Sequence, residues 1–405
     1  MEKQKCIIYL GDFDLRNENV QAHLVKNNAK VFNHLGYIVA FIGVNRKSSY
    51  EEIIKLPRIS VGDNNYYLEV ENTLSFTGIL RYRRAAEQIL CFMDSVAKNC
   101  DVKYVISYQA PTFSIILKSV VHWCVTNNAK YIVNCADITS FKSQPVLRRI
   151  VMNANWRYLH TLNKRHANGV IAVSSYIEGF YHRDGIPSVI VPPLFDNYLD
   201  NSFELADKVT YIYAGSPFVL KKNVNTVGMK DRLDKIVDLF VQLSSSNISY
   251  RLRIIGITKE DYTSCVPRHK KELETNKDII FEGRHSHQAT LNAIRDADYM
   301  INIRDVNIMN EAGLSTKMVE SVSLGTPVVM NLVGDNYLYL HEGSTGYMLS
   351  GDTLKDCELL RSLCDKTYQE RLNIKMKCAG DKTFAIEKYE HKLKRFLEAV
   401  ATVGE

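Results

Sequence analysis

The chain has 405 residues, 46% hydrophobic and 24% charged, with 20 Gly and 9 Pro; that composition excludes a disordered or collagen-like protein, and since single cores stop growing near about 250–300 residues it predicts two domains of roughly 200 each. The net charge of +6 is unevenly placed, +7 over residues 1–198 and −1 over 199–405. The longest uninterrupted apolar run is of the size of Tyr37–Val44, far short of the roughly 18 residues that a bilayer-spanning helix needs.

Met1 leads directly into the strand-like Cys6–Leu10. No apolar signal core precedes it, which argues against export. The reading continues with a strand over Lys5–Leu10, a helix over about Asn19–Leu35, and further runs at Ile38–Gly43, Tyr104–Ser107, Ile115–Thr126, Tyr131–Asn134 and Gly169–Val173. Within this half, Ile138–Ile177 contains no Asp or Glu but carries Lys142, Arg148, Arg149, Arg157, Lys164 and Arg165, with His160 and His166 beside them; Arg81, Arg83 and Arg84 form a second cluster. Such segments either form solvated helix faces or attract phosphate, anionic lipid or nucleic acid. Nucleic acid is disfavoured, because the aromatics are not spaced for base stacking and no nucleic-acid-binding motif is present.

Pro192–Lys208 is polar, proline-initiated and without periodicity, and reads as an interdomain linker. The rhythm then restarts with Thr210–Ala214, a helix over Asp231–Ser244, Tyr250–Ile255, Ile279–Glu282, a helix over His287–Ala297, Tyr299–Ile303, a helix over Thr316–Leu324, and Pro327–Met330. Strands alternating with crossover helices predict an α/β protein of two doubly wound, Rossmann-like domains, 1–198 and 199–383. Ligands of such sheets bind beyond the carboxyl ends of the strands, and two facing sheets place that rim at a central cleft. The nine cysteines are scattered singly with no C-x-x-C; they suggest neither a zinc site nor a disulfide framework, and fit a reducing cytosol.

The most informative stretch runs from Arg304 to Val329. The small-residue loop Ala312-Gly313-Leu314-Ser315 enters a helix whose N-cap is Ser315 or Thr316, followed by Lys317. A helix N-terminus after glycine offers free N–H groups and a positive dipole end to phosphate. Glu320, one turn further on, can accept hydrogen bonds from vicinal hydroxyls. Phosphate plus diol describes the diphosphate and ribose of a nucleotide.

Arg304, Asn307, AGLSTKMVES and GTPV resemble the donor-binding signature of family 4 retaining glycosyltransferases of the GT-B fold, in the branch that builds bacterial capsular and O-antigen polysaccharides. The resemblance is strong over 210–330 and weaker before that. Tyr213-Ala-Gly215-Ser216-Pro217 resembles the glycine turn beneath the donor phosphates, and Gly228–Asp234 resembles the basic element that follows it; the intervening Phe218–Val227 leaves Lys230 and Lys222 as alternative diphosphate contacts. Phe281–His287, with Arg284, resembles the turn that reads the base. In the first half, Tyr9–Phe13 with Gly11 resembles the opening glycine loop, and Val133–Thr139 resembles a strand end that presents Asp137 as a cleft carboxylate or a helix N-cap. Residues 384–405 resemble the terminal helix that crosses back onto the first domain. The wider family carries a second glutamate where this chain has Ala312, with Glu311 one residue off register; the resembled branch also lacks it, and the donor-sugar contact stays unassigned.

The resemblance implies transfer of a hexosyl or N-acetylhexosaminyl group from a nucleotide-diphosphate sugar, UDP first, to a glycan, lipid-linked, at the inner face of the cell membrane. Lys230 and the helix start at Ser315–Lys317 would stabilise the leaving diphosphate without a metal or other cofactor. The +7 half would dock on an anionic membrane surface. The alternatives are a sugar-nucleotide 2-epimerase of the same fold and a non-catalytic sugar-nucleotide-binding subunit of a transferase complex. A nicotinamide oxidoreductase is disfavoured, because no G-x-G-x-x-G with a following acidic residue is present.

Overall fold

The computed structural model describes residues 3–16, 20–45, 50–53, 66–71, 79–108, 114–138, 145–195, 203–218, 220, 224–226, 230–244 and 248–404. The chain divides into two compact units, Met1–Leu194 with Ile386–Glu405, and Phe195–Ala385.

The first unit is built from β1 (Lys5–Gly11), α1 (Val20–His34), β2 (Ile38–Asn45), α2 (Tyr50–Ile53), β3 (Tyr66–Glu71), α3 (Ile79–Asn99), β4 (Asp101–Tyr108), α4 (Ser114–Thr126), β5 (Lys130–Cys135), α5 (Val146–His166), β6 (Gly169–Ala172), α6 (Ser175–Tyr181) and β7 (Ser188–Ile190). Its seven strands pair in the order β3-β2-β1-β4-β5-β6-β7, with every pairing parallel. The central strands are apolar on both faces, as a sheet covered on two sides requires; β1 buries Cys6 through Gly11.

The second unit contains β8 (Val209–Ala214), α7 (Leu233–Ser244), β9 (Tyr250–Ile255), α8 (Lys259–Cys265), α9 (Lys270–Thr275), β10 (Ile279–Gly283), α10 (His287–Asp296), β11 (Tyr299–Asn302), α11 (Ile308–Ala312), α12 (Thr316–Ser323), β12 (Val328–Asn331), β13 (Gly346–Leu349), α13 (Thr353–Cys364) and α14 (Tyr368–Asp381). Its six parallel strands run β10-β9-β8-β11-β12-β13. In each sheet the order reverses beside the first strand, between β1 and β4 and between β8 and β11. Ligands of doubly wound sheets bind beyond the carboxyl ends of the strands at such a switch point.

The last helix, α15 (Glu387–Ala401), returns to the first unit. Leu393, Phe396, Leu397 and Val400, spaced i, i+3, i+4, i+7, form its buried stripe and join the core of Ile7, Tyr104 and Ile171. Polar contacts fix its angle: Tyr104 donates to the Leu397 carbonyl at 2.9 Å, and His34 of α1 meets Glu390 at 2.6 Å. At the start of β6 the chain needs a residue without a side chain. A Cβ on Gly169 would lie 2.4 Å from Val400 Cγ2 and 2.8 Å from the Phe396 ring.

Among the departures from the sequence reading, four are instructive. Helix α7 starts at Leu233 and not at Asp231; the two residues before it are fastened to the exit of β11, where the Arg232 N–H donates to the Ile303 carbonyl at 2.7 Å. The loop before Ser315 is shorter than expected, since α11 precedes it with its first turn capped by Asn307. Helix α14 lacks an apolar stripe because its buried face carries Arg371 and Lys375. Lys375 is buried and donates to the Arg295 and Ala297 carbonyls and to Thr326 Oγ1 at 2.6–2.8 Å, and burial lowers its ammonium to about 8. Finally β13 is a glycine-led strand of four residues, too short to show a period.

The close seat of α15 is testable. Gly169→Ala should destabilise the protein by about 1–3 kcal/mol, the usual range for overpacking a filled core, read as a lower urea midpoint with an unchanged slope.

Candidate functional site

The carboxyl edge of the second sheet gathers most of the residues singled out from the sequence. Gly215 follows β8 directly, and its N–H donates to the Ile255 carbonyl at 2.9 Å; Gly256 follows β9, and its N–H donates to the Gly283 carbonyl at 2.7 Å. The rim is made of backbone because nothing else fits there: a Cβ on Gly215 would fall 2.2 Å from Cε of Lys317, and one on Gly256 would fall 2.2 Å from the Gly215 carbonyl oxygen. Ser216 follows on the surface.

Across the switch point, β11 leads into Arg304, whose backbone is held on both sides by Asn331: the Arg304 N–H donates to Asn331 Oδ1 at 2.9 Å, and Asn331 Nδ2 donates to the Arg304 carbonyl at 2.8 Å. Asn302 donates from Nδ2 to Ser315 Oγ at 3.4 Å. Ser315 is the N-cap of α12, accepting from the Met318 N–H, which satisfies one orphan donor of the first turn. Gly313 and buried Leu314 bring the chain to that cap, and Thr316 opens the helix half-buried.

At the centre stands Asp231, 3% exposed. Its Oδ1 accepts from Arg304 Nε at 3.0 Å, and its Oδ2 accepts from Lys317 Nζ at 2.7 Å and from the Tyr213 hydroxyl at 3.1 Å. Burial alone would raise this carboxyl, but Lys317 and Arg304 outweigh it and hold it at about 2. The same burial pushes the Tyr213 hydroxyl well above its ordinary value. The sequence offers no role for Asp231; the available signal is an acid set between Lys230 and Arg232 in a run expected to be basic. The next residue completes the fastening. Arg232 forks between Asp234, with both bonds 2.9 Å, and Asp305, at 2.7 and 2.8 Å. Segment 230–235 is thus tied to the exit of β11 by charges of both signs.

Glu320 lies half-buried on α12. Burial raises its carboxyl above the usual range, although His287 and Lys317 pull it down, and among the described residues no group donates a hydrogen bond to it. Lys230 is exposed, one residue before Asp231, and Arg284 is exposed just beyond β10. Lys222 lies outside the described residues. Arg304, expected to bind donor, is 5% exposed and spends its Nε on Asp231, so its evident work is to position that carboxylate.

Gly11 and Asp137 belong to the first unit. Gly11 ends β1 opposite Tyr108. Asp137 follows β5 half-buried and accepts the Ile138 N–H at 2.8 Å; the N-cap of α5 is Pro145, so Asp137 is not that helix's cap. Nearby the Tyr9 hydroxyl donates to Asn134 and accepts from Asn28.

No protein-family model and no curated protein sequence matches the chain. Solved structures do. HepE of Anabaena in complex with UDP and glucose aligns over 98% of this chain and 100% of its own at 12% identity and a TM-score of 0.62. Sucrose-phosphate synthase of Thermosynechococcus elongatus covers 97% and 98% at 12% identity and 0.62, and a glycosyltransferase from Rickettsia africae covers 100% of both chains at 12% identity and 0.65. The chain therefore has the two-unit, Rossmann-like GT-B fold of these proteins.

The charge arrangement around Asp231 makes a stability prediction. In the folded protein its carboxylate stays ionised to about pH 2, whereas in the unfolded chain it protonates near 3.9. Its stabilisation is therefore complete above about pH 4 and is lost as pH falls toward 2. Asp231→Asn, which leaves two cations without their counter-charge, should cost about 3–5 kcal/mol at pH 7. Urea melts at pH 7, 4 and 3 should show the variant losing less on acidification than the parent.

Proposed function

We propose that this protein is a retaining, family 4-like glycosyltransferase that moves a hexosyl or N-acetylhexosaminyl group from a UDP-sugar to a lipid-linked glycan in surface polysaccharide biosynthesis. The observation that carries this reading is the juxtaposition, at the β8/β11 switch point, of a backbone-only rim at Gly215, the Lys317 ammonium at the start of α12, and the Glu320 carboxylate, to which no group donates among the described residues. Three solved structures of one neighbour, HepE, which hold UDP and glucose, UDP, or UDP-glucose, support the choice of nucleotide.

In this reading the diphosphate lies over Gly215 and the first turn of α12. Free N–H groups, the helix dipole and Lys317 oppose its charge there. Lys230, exposed beside Asp231, closes over the leaving group. Glu320 accepts the ribose hydroxyls, and Arg284 with the Gly283 turn flanks the base. The bond between the anomeric carbon and the β-phosphate oxygen breaks while the acceptor oxygen bonds to that carbon on the same face, and the acceptor proton passes to the departing phosphate oxygen. Asp137 is assigned to the acceptor. The cations and amides of the chain suffice for this scheme, so the activity is proposed to be metal-independent, at the cytoplasmic face of a membrane.

Glu320→Gln should leave the fold intact and weaken UDP binding by about 1.5–3 kcal/mol, the range for hydrogen bonds to a charged group; unchanged affinity in a calorimetric titration removes Glu320 from the site. Because burial holds this carboxyl above the ordinary glutamate value, affinity in the parent should begin to fall at a higher pH than about 4.3. Lys230→Ala should lower kcat more than it raises KM, as expected for a contact that strengthens in the transition state. Donor incubated without acceptor should at most hydrolyse slowly; an epimerised sugar would overturn the transferase reading.

A further inference from the structure

Helix α5 distributes its side chains in an inverted way. The face turned to the protein holds Leu159 and Leu162 but also His160 and Asn163, while the outer face of its first three turns is apolar. Leu147 is 81% exposed, Val146 61% and Ile150 59%, with Val151 and Tyr158 about half exposed. Leu147, Val151, Ala154 and Tyr158 recur at i, i+4, i+7, i+11, one continuous stripe on a helix. The helix contains no Asp or Glu. Arg148 and Arg149 flank the apolar patch, and Arg157, Lys164 and Arg165 continue the outer surface toward the carboxyl end. None of these five cations makes an ion pair among the described residues. Exposing so much apolar surface to water is costly in proportion to its area, and a patch of this kind marks a contact surface.

We infer that the first three turns of α5 are an interfacial anchor that lies in the plane of an anionic lipid bilayer, with Val146, Leu147, Ile150 and Val151 inserted below the headgroups and the flanking arginines on lipid phosphate. Charge complementarity selects this occupant. A second copy of the chain would bring two acid-free cationic faces together, whereas an anionic leaflet attracts them. The helix cannot cross the membrane, since no helix among the described residues is long and apolar enough to do so; an amphipathic helix with basic flanks lies in the interface instead. The inference rests on the proposal that the acceptor is lipid-linked, and adds to general attraction by the basic half a specific element and an apolar insertion.

The test uses the full chain with vesicles of phosphatidylcholine alone or mixed with phosphatidylglycerol, read by co-sedimentation. The parent should bind the anionic vesicles, and binding should weaken steeply as salt shortens the Debye length to about 8 Å near physiological strength. Leu147→Ser with Ile150→Ser should reduce partitioning at least tenfold while leaving the thermal unfolding midpoint and the UDP titration unchanged; both residues are surface-exposed, so the fold should hold. Arg148→Glu with Arg149→Glu should reduce it as well. If the parent binds and the serine variant binds equally, α5 is not the anchor, although the membrane reading survives. If the parent binds neither vesicle, the anchor and the membrane reading both fail, and the donor chemistry stands untouched. If the parent proves to be a dimer that the serine variant dissociates, without vesicle binding, the face is a self-association surface and the inference is wrong.

Discussion

Asp231 is the constraint on which the donor-side architecture hangs. Its two oxygens are shared among Lys317 at the start of α12, Arg304 at the exit of β11 and Tyr213 at the end of β8, so a single buried carboxylate ties together the three elements that meet at the switch point. Buried ion pairs are poor sources of net stability, because the desolvation penalty of each charge can match the Coulombic gain. What they supply is position. A lysine free in solvent carries about 2 kcal/mol of rotamer entropy, and Asp231 has already absorbed that cost for Lys317 in the fold. The same carboxylate lowers the local charge from +2 to +1. An anionic ligand on the rim therefore meets one ordered ammonium and the amides of a helix start.

Backbone does the rest of the shaping. A Cβ on Gly256 would meet the Gly215 carbonyl and one on Gly215 would push the end of Lys317 aside, and the hydrogen bonds from Gly215 to Ile255 and from Gly256 to Gly283 continue the sheet past its last strand residues. The Lys317 side chain crosses directly over Gly215, which makes the glycine a condition for the Lys317–Asp231 contact. Rim and ion pair are in this sense one device.

The alternation of strands and helices was legible because each parallel strand is a nearly continuous apolar run, and the stretch around α12 was legible because its loop, cap and helix lie in one segment. Features built from distant segments were not. Asp231 meets partners 18, 73 and 86 residues away, and no local pattern announces that. Helix α14 was hidden because its inward face is charged: Arg371 pairs with Asp298 at 2.9 Å and Lys375 donates to backbone carbonyls. Helix α5 was visible as a basic segment but not as an apolar one, since its periodicity reports an outward stripe and its inward face mixes leucines with His160 and Asn163.

These burial patterns also bear on where each unit displays its charge. In the second unit four cations are paired in the interior or at the rim, Arg304 and Lys317 by Asp231, Arg232 by Asp234 and Asp305, and Arg371 by Asp298. Those charges serve the fold and add little to the field outside the unit. In the first unit, α5 contributes Arg148, Arg157, Lys164 and Arg165 at the surface with no acidic residue on the same helix. Paired interior charges cancel at a distance, whereas unpaired surface charges sum into a field that extends about a Debye length from the protein. The α5 cations are therefore charge that a partner can feel, and they share the helix with its most exposed apolar side chain, Leu147.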